Sequence, residues 1–133
     1  MEQLMQGFLV DTHVLLWWFT NDDRLSATAH GIIEDQSNVV YASATSAWEV
    51  ATKSRLGKLS GVPKATEMFG ELAATHGFSH LPITHRHALL AGGFDAPHRD
   101  PFDRMLAAQS LIEGVPLVSR DRAFAGFGIT AVW

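Results

Sequence analysis

With 133 residues, 47% hydrophobic and 18% charged, the chain has the composition of a soluble globular protein and the length of one domain, residues 1–133, with a real core. It has no cysteine, which excludes disulfides and thiolate metal sites. The net charge of −4 argues by its sum against a nucleic-acid partner, and Met1 to Gln6 has neither a basic region nor a long apolar run, so no signal peptide or membrane helix is expected and the cytoplasm is the default location.

Taken in chain order, the pattern alternates strands and helices. Gly7 to Asp11 reads as a short apolar strand, and Thr12 to Phe19 as a helix apolar almost all round, hence buried. Asn21-Asp22-Asp23 is a turn. Ser26 to Gln36 is a helix with Ser26 as N-cap, and Asn38 to Ala42 a second strand. Thr45 to Leu56 is a helix ended by Gly57, followed by a loop through Gly61. Pro63 to His76 is an amphipathic helix with Pro63 in its first turn and Gly77 beyond its end. Ser79 to Ile83 is extended, and Thr84 to Ala91 is a helix stopped by Gly92-Gly93. Pro101 to Glu113 is a helix stopped by Gly114. Pro116 to Ser119 and Ile129 to Trp133 are strands. This order predicts an α/β fold with a mainly parallel central sheet covered by helices on both faces.

The chemistry sits in acids that follow apolar runs. Asp11 closes Phe8-Leu9-Val10, Glu49 lies in the first turns of the helix after the second strand, Asp103 opens a late helix, and Asp121 follows Pro116 to Arg120. Sites on open parallel sheets form beyond the carboxyl ends of the strands. These four acids could therefore meet at one rim. Gathered carboxylates are unfavourable unless a cation offsets them, and an all-oxygen pocket suits Mg²⁺ or Mn²⁺. Each acid also has a purely structural reading. Asp11 could cap the helix at Thr12, Glu49 completes a Ser46-Ala47-Trp48-Glu49 capping box, Asp100 before Pro101 fits an N-cap, Asp103 suits a helix N-terminus, and Asp121 could open a turn.

The charge distribution qualifies the net value. Residues 50–66 carry Lys53, Arg55, Lys58 and Lys64 and no acid, while Arg99, Arg104, Arg120 and Arg122 interleave with the candidate carboxylates. Such cations can equally be an ordinary solvated face. Five of the seven histidines fall between residues 76 and 98. A zinc site from His85, His87 and His98 is weak, because helix positions two apart face different ways. Trp17-Trp18-Phe19 reads as core, with any surplus apolar surface available to an interface.

Four segments in order resemble the PIN-domain ribonucleases, and within them the VapC-type toxins of bacterial toxin–antitoxin pairs. They are Leu9-Val10-Asp11-Thr12-His13, Ser46-Ala47-Trp48-Glu49-Val50-Ala51-Thr52-Lys53, His98 to Gln109 with Asp100-Pro101-Phe102-Asp103-Arg104 at its centre, and Pro116-Leu117-Val118-Ser119-Arg120-Asp121. The third is the most specific, and the resemblance runs from Phe8 to Trp133. It implies metal ligands at Asp11, Glu49, Asp103 and Asp121, with Thr12 and Ser119 as hydroxyl residues beside the site and Asp100 as a cap with a supporting role. It implies Mg²⁺- or Mn²⁺-dependent cleavage of RNA by an activated water, a homodimer, and a small antitoxin over the active-site groove. Lys53, Arg55, Lys58, Arg104 and Arg122 are then the expected phosphate contacts.

Two other classes compete. A phosphatase using Asp11 as nucleophile would want Asp-x-Asp there, and residue 13 is His. A non-catalytic RNA-binding scaffold would gain little from four like charges against RNA.

Overall fold

The computed structural model describes residues 6–59 and 65–133, with only the backbone of Met68 and Leu72. The start of the chain, the loop through Gly61 and the expected helix start at Pro63 lie outside or at the edge of the described residues.

Five strands, β1 (Gly7–Val10), β2 (Val39–Ser43), β3 (Ser79–Leu81), β4 (Leu117–Val118) and β5 (Ala131–Val132), form one sheet in the order β3-β2-β1-β4-β5. Every pairing is parallel. The expected α/β fold is present, and its sheet is wholly parallel. Between the strands run α1 (Thr12–Phe19), α2 (Ala27–Glu34), α3 (Ala44–Arg55), α4 (Ala65–Thr75), α5 (His85–Gly93) and α6 (Pro101–Glu113).

Strand side chains alternate between faces, and the core divides accordingly. Phe8, Val10, Val40, Ala42 and Val118 pack with Val14, Leu15, Ala29 and Phe78 on one face. Leu9 and Leu117 turn the other way, onto Leu106, Ala107, Phe124 and Phe127. Both faces are thus covered, which is why β1 reads as an unbroken apolar run. Leu16, Val50 and Ala65 join α1, α3 and α4 in a third cluster.

Helix starts follow side-chain caps. Asp11, Ser26, Ser43, Thr84 and Asp100 each accept a backbone N–H of the helix they precede. Gly114 ends α6 with φ +66°, a left-handed conformation that favours glycine. Three expectations shift. Ser43, not Thr45, opens α3, so Glu49 sits in mid-helix and makes no capping box. Glycines 92 and 93 belong to α5 as its last residues. Residues Arg122–Phe127 form a 3₁₀ helix that was not expected, capped by Asp121 and closed by Gly128 at φ +75°. Among the described residues no helix is long and apolar enough to cross a membrane.

Candidate active site

The parallel register brings the first acid to its partners. Val10 lies opposite Val118 and Ala42, so the next residues, Asp11, Ser119 and Ser43, emerge together at the carboxyl edge of the sheet. Asp11 is 6% exposed. One of its oxygens accepts the Val14 N–H at 2.9 Å, and the other accepts the Ser119 hydroxyl. The same hydroxyl oxygen accepts the N–H of Asp121 at 3.0 Å. Ser119 therefore ties the first and fourth candidate acids to each other. Burial raises the pKa of Asp11 above the usual carboxylate value, the Ser119 and Val14 hydrogen bonds and nearby His13 oppose the rise, and the charge of Glu49 adds to it.

Glu49, 3% exposed, points from α3 into the same edge. The Thr12 hydroxyl donates to its Oε1 at 2.6 Å and lies 2.9 Å from Ser46 Oγ. Its other oxygen is paired with the ammonium of Lys53, one turn along. Asp103 stands in the first turn of α6. Asp100 caps that turn through the N–H groups of Phe102 (2.8 Å) and Asp103 (3.2 Å). His98 Nε2 is 2.7 Å from Asp103 Oδ2. Burial first, then the charges of Asp100 and Glu49, lift Asp103 to a pKa of about 6, against the pull of His98. Asp121 is the outlier: it is exposed, and its side chain caps the 3₁₀ helix through Ala123 N at 2.9 Å.

The four acids thus share one edge, with Glu49 near enough to repel both Asp11 and Asp103. Among the described residues no three histidine or acid side chains stand close enough to hold a metal ion together. Two of the acids are engaged elsewhere, Glu49 by Lys53 and Asp103 by His98. The donor set itself, made of carboxylate oxygens, fits a hard divalent cation.

The cations divide by use. Lys53 is committed to Glu49. Arg55 and Lys58 are exposed at the end of α3 and in the turn after it. Arg104, expected at a phosphate, instead faces the protein. Its N–H groups reach the carbonyls of Ala91 (2.8 Å), Phe94 (2.6 Å), Ala96 (3.2 Å), His98 (2.9 Å) and, at 3.5 Å, Gly92. Such a fork saturated by carbonyls has no donors left for RNA. Arg122 lines a cavity of about 460 Å³ beside Asp11, together with His13, Trp17, Arg24, Arg120 and Asp121. A larger recess of about 730 Å³, with Trp18, His30 and His76 in its wall, contains none of the candidate acids.

The zinc grouping does not assemble. His87 is 1% exposed; its Nδ1 accepts the Thr84 N–H at 3.0 Å, so its Nε2–H donates to Glu113 at 2.9 Å. The contact of His98 with Asp103 and the place of Arg24 at the cavity were not legible as such. His98 gave only its closeness in sequence as a signal, and Arg24 gave none.

A family model described as the PIN domain matches residues 8–129. Among solved structures, VapBC2 from Rickettsia felis, bound to a DNA fragment from its promoter, aligns at a TM-score of 0.65 and 9% identity, over 96% of this chain and 98% of that one. FitAB bound to an IR36 DNA fragment aligns at 0.59 and 18% identity, over 94% and 93%. FitAcB from Neisseria gonorrhoeae aligns at 0.60 and 16%, over 95% and 96%. At these identities the likeness concerns the fold. No curated protein matches by sequence.

Proposed function

The chain belongs to the PIN-domain family, a family of nucleases, and on that premise we propose that it is a metal-dependent endoribonuclease, the toxin of a toxin–antitoxin pair. The observation that carries the reading is the set of carboxylates at the carboxyl edge of a parallel sheet, Asp11 and Glu49 buried and Asp103 half-buried, with the charge of Glu49 acting against both of the others. An arrangement that is electrostatically unfavourable by itself is reasonable as a cation-binding device.

Asp11, Glu49, Asp103 and Asp121 would hold the ion, with Mg²⁺ or Mn²⁺ suited to their oxygens. When bound, such an ion polarises a phosphodiester and lowers the pKa of a water. The chain's own residues do the positioning. Ser119 and the Val14 N–H fix the carboxylate plane of Asp11. Thr12 fixes one oxygen of Glu49, while Lys53 holds the other and offsets its charge. Asp100 fixes the first turn of α6, and His98 orients Asp103. Arg55, Lys58 and Arg122 are exposed cations available to RNA phosphates.

The same reading brings a cognate antitoxin, a homodimer and a cytoplasmic location. The structural neighbours VapBC2 and FitAB, both complexes on DNA fragments, support the antitoxin partner.

The test is cleavage of labelled total RNA by purified protein, freed of any copurifying partner. Mg²⁺, Mn²⁺ and chelator are compared, beside an Asp11→Asn, Asp103→Asn double variant. Cuts that need the metal and vanish in the variant are expected. No cutting by folded protein, or equal cutting by the variant, refutes the nuclease assignment.

A further inference from the structure

The cavity beside Asp11 has a lining that an acid-rich edge does not by itself require. Three arginines meet there from two distant stretches: Arg24 from the turn after α1, and Arg120 and Arg122 on either side of Asp121. The guanidinium carbons of Arg24 and Arg120 lie 5.1 and 4.8 Å from the ring centre of Trp17. Trp17 is nearly buried and packs edge-on against Trp133 at 5.8 Å, which makes it a fixed platform. A guanidinium laid on an indole keeps its N–H edge free for in-plane hydrogen bonds. Asp22 holds Arg24 by two hydrogen bonds, to Nε at 3.1 Å and Nη2 at 2.8 Å. Arg120 and Arg122 are exposed, and among the described residues neither has a carboxylate at ion-pair distance. The two acids in the wall, Asp11 and Asp121, face Ser119 and backbone N–H groups instead. Arg120 and Arg122 therefore await an anion from outside, beside an Arg24 already held in place by Asp22.

We propose that Arg24, Arg120 and Arg122, with Trp17 as their platform, form a subsite for a backbone phosphate of single-stranded RNA, adjacent to the phosphate being cut. The proposal rests on the nuclease reading. A strand whose scissile phosphate lies at Asp11 runs its next phosphate through this cavity, because Asp11 is itself part of the wall. A planar fork suits a phosphate, and about 460 Å³ is within the usual range for a ligand site.

The test is fluorescence anisotropy of a labelled single-stranded RNA on the full chain in chelator, where binding is read without cutting. An Arg120→Gln, Arg122→Gln double variant should bind at least about tenfold more weakly at low salt. Its slope of log affinity against log salt should be shallower by about 1.4, at about 0.7 per lost contact. Arg120→Lys should lose less affinity than Arg120→Gln, having charge without the fork. An Arg86→Gln, Arg99→Gln control removes the same charge from two other exposed positions and should bind nearly as wild type. Unchanged affinity and slope in the double variant overturns the subsite, as does an equal loss in the control. Polyglutamate displacing RNA as well as an equal concentration of polyphosphate overturns it in favour of an acidic polypeptide. Binding through these arginines by protein that cuts no RNA with either metal sinks the nuclease reading, and with it the place beside a cut phosphate, while keeping the arginine contact with RNA phosphate, so the two failures are distinct.

Discussion

Replacing Asp103 by Asn should make the metal-free protein more stable at neutral pH while abolishing cleavage. The native fold lifts this carboxyl from 3.8 to about 6, through burial and the charges of Asp100 and Glu49. At 1.36 kcal/mol per pH unit the rise corresponds to about 3 kcal/mol against the charged form. Asp103 keeps contact with solvent, so screening reduces that to about 1–2 kcal/mol. Losing a carboxylate from the first turn of α6 returns roughly 0.5 kcal/mol. About 1 kcal/mol of stabilisation remains, or roughly 4 °C in Tm for a chain of this size. Asn can still meet His98. The sign follows from proton binding. The native state holds the Asp103 proton more tightly than the unfolded chain does, so the penalty is absent below about pH 3.8, grows up to about pH 6 and is complete above it. Thermal melts of both proteins in chelator should therefore differ at pH 7.5 and converge at pH 4. A variant no more stable than wild type at pH 7.5, or a difference independent of pH, refutes the claim that this site is electrostatically unfavourable when empty of metal.

Ser119→Ala leaves an Asp11 oxygen without its hydroxyl donor and frees Asp121 N, so stability should fall by about 1–3 kcal/mol and cleavage by roughly 10- to 100-fold. Urea unfolding and cutting rates check both, and unchanged kinetics would show that the Ser119 link does not position Asp11. Arg104→Lys removes a fork that bonds carbonyls of the segment leading into α6. It should lower stability by about 2–3 kcal/mol and leave RNA affinity unchanged. Weaker RNA binding with unaltered stability would return Arg104 to the phosphate contacts.

The strand–helix alternation was legible because burial on both faces writes β1 as an apolar run, and because Asp, Ser and Thr mark helix starts. The rim was legible for the same reason: a parallel sheet places whatever follows each strand on one edge. What was hidden depends on distance rather than order. Nothing in the sequence says that the Arg104 fork folds back onto five carbonyls. The capping-box reading of Glu49 failed because Ser43 takes the helix start ahead of Ser46, its hydroxyl accepting the Thr45 N–H and donating to Gln109 of α6 at 2.5 Å. The 3₁₀ helix was missed because Arg122–Phe127 is too short to show a helical period, although Asp121 and Gly128 bracket it.

The sheet order also sets a timetable for synthesis. Asp11 is made well before its neighbour strand β4 and its hydroxyl donor Ser119, which comes 108 residues later in the chain. Until that segment has left the ribosome, β1 lacks one of its two neighbours and the proposed centre lacks Asp121. On the nuclease reading, a chain not yet extended past β4 is therefore inert toward the RNA that surrounds it, and the proposed centre assembles only once both ends of this long-range pairing exist.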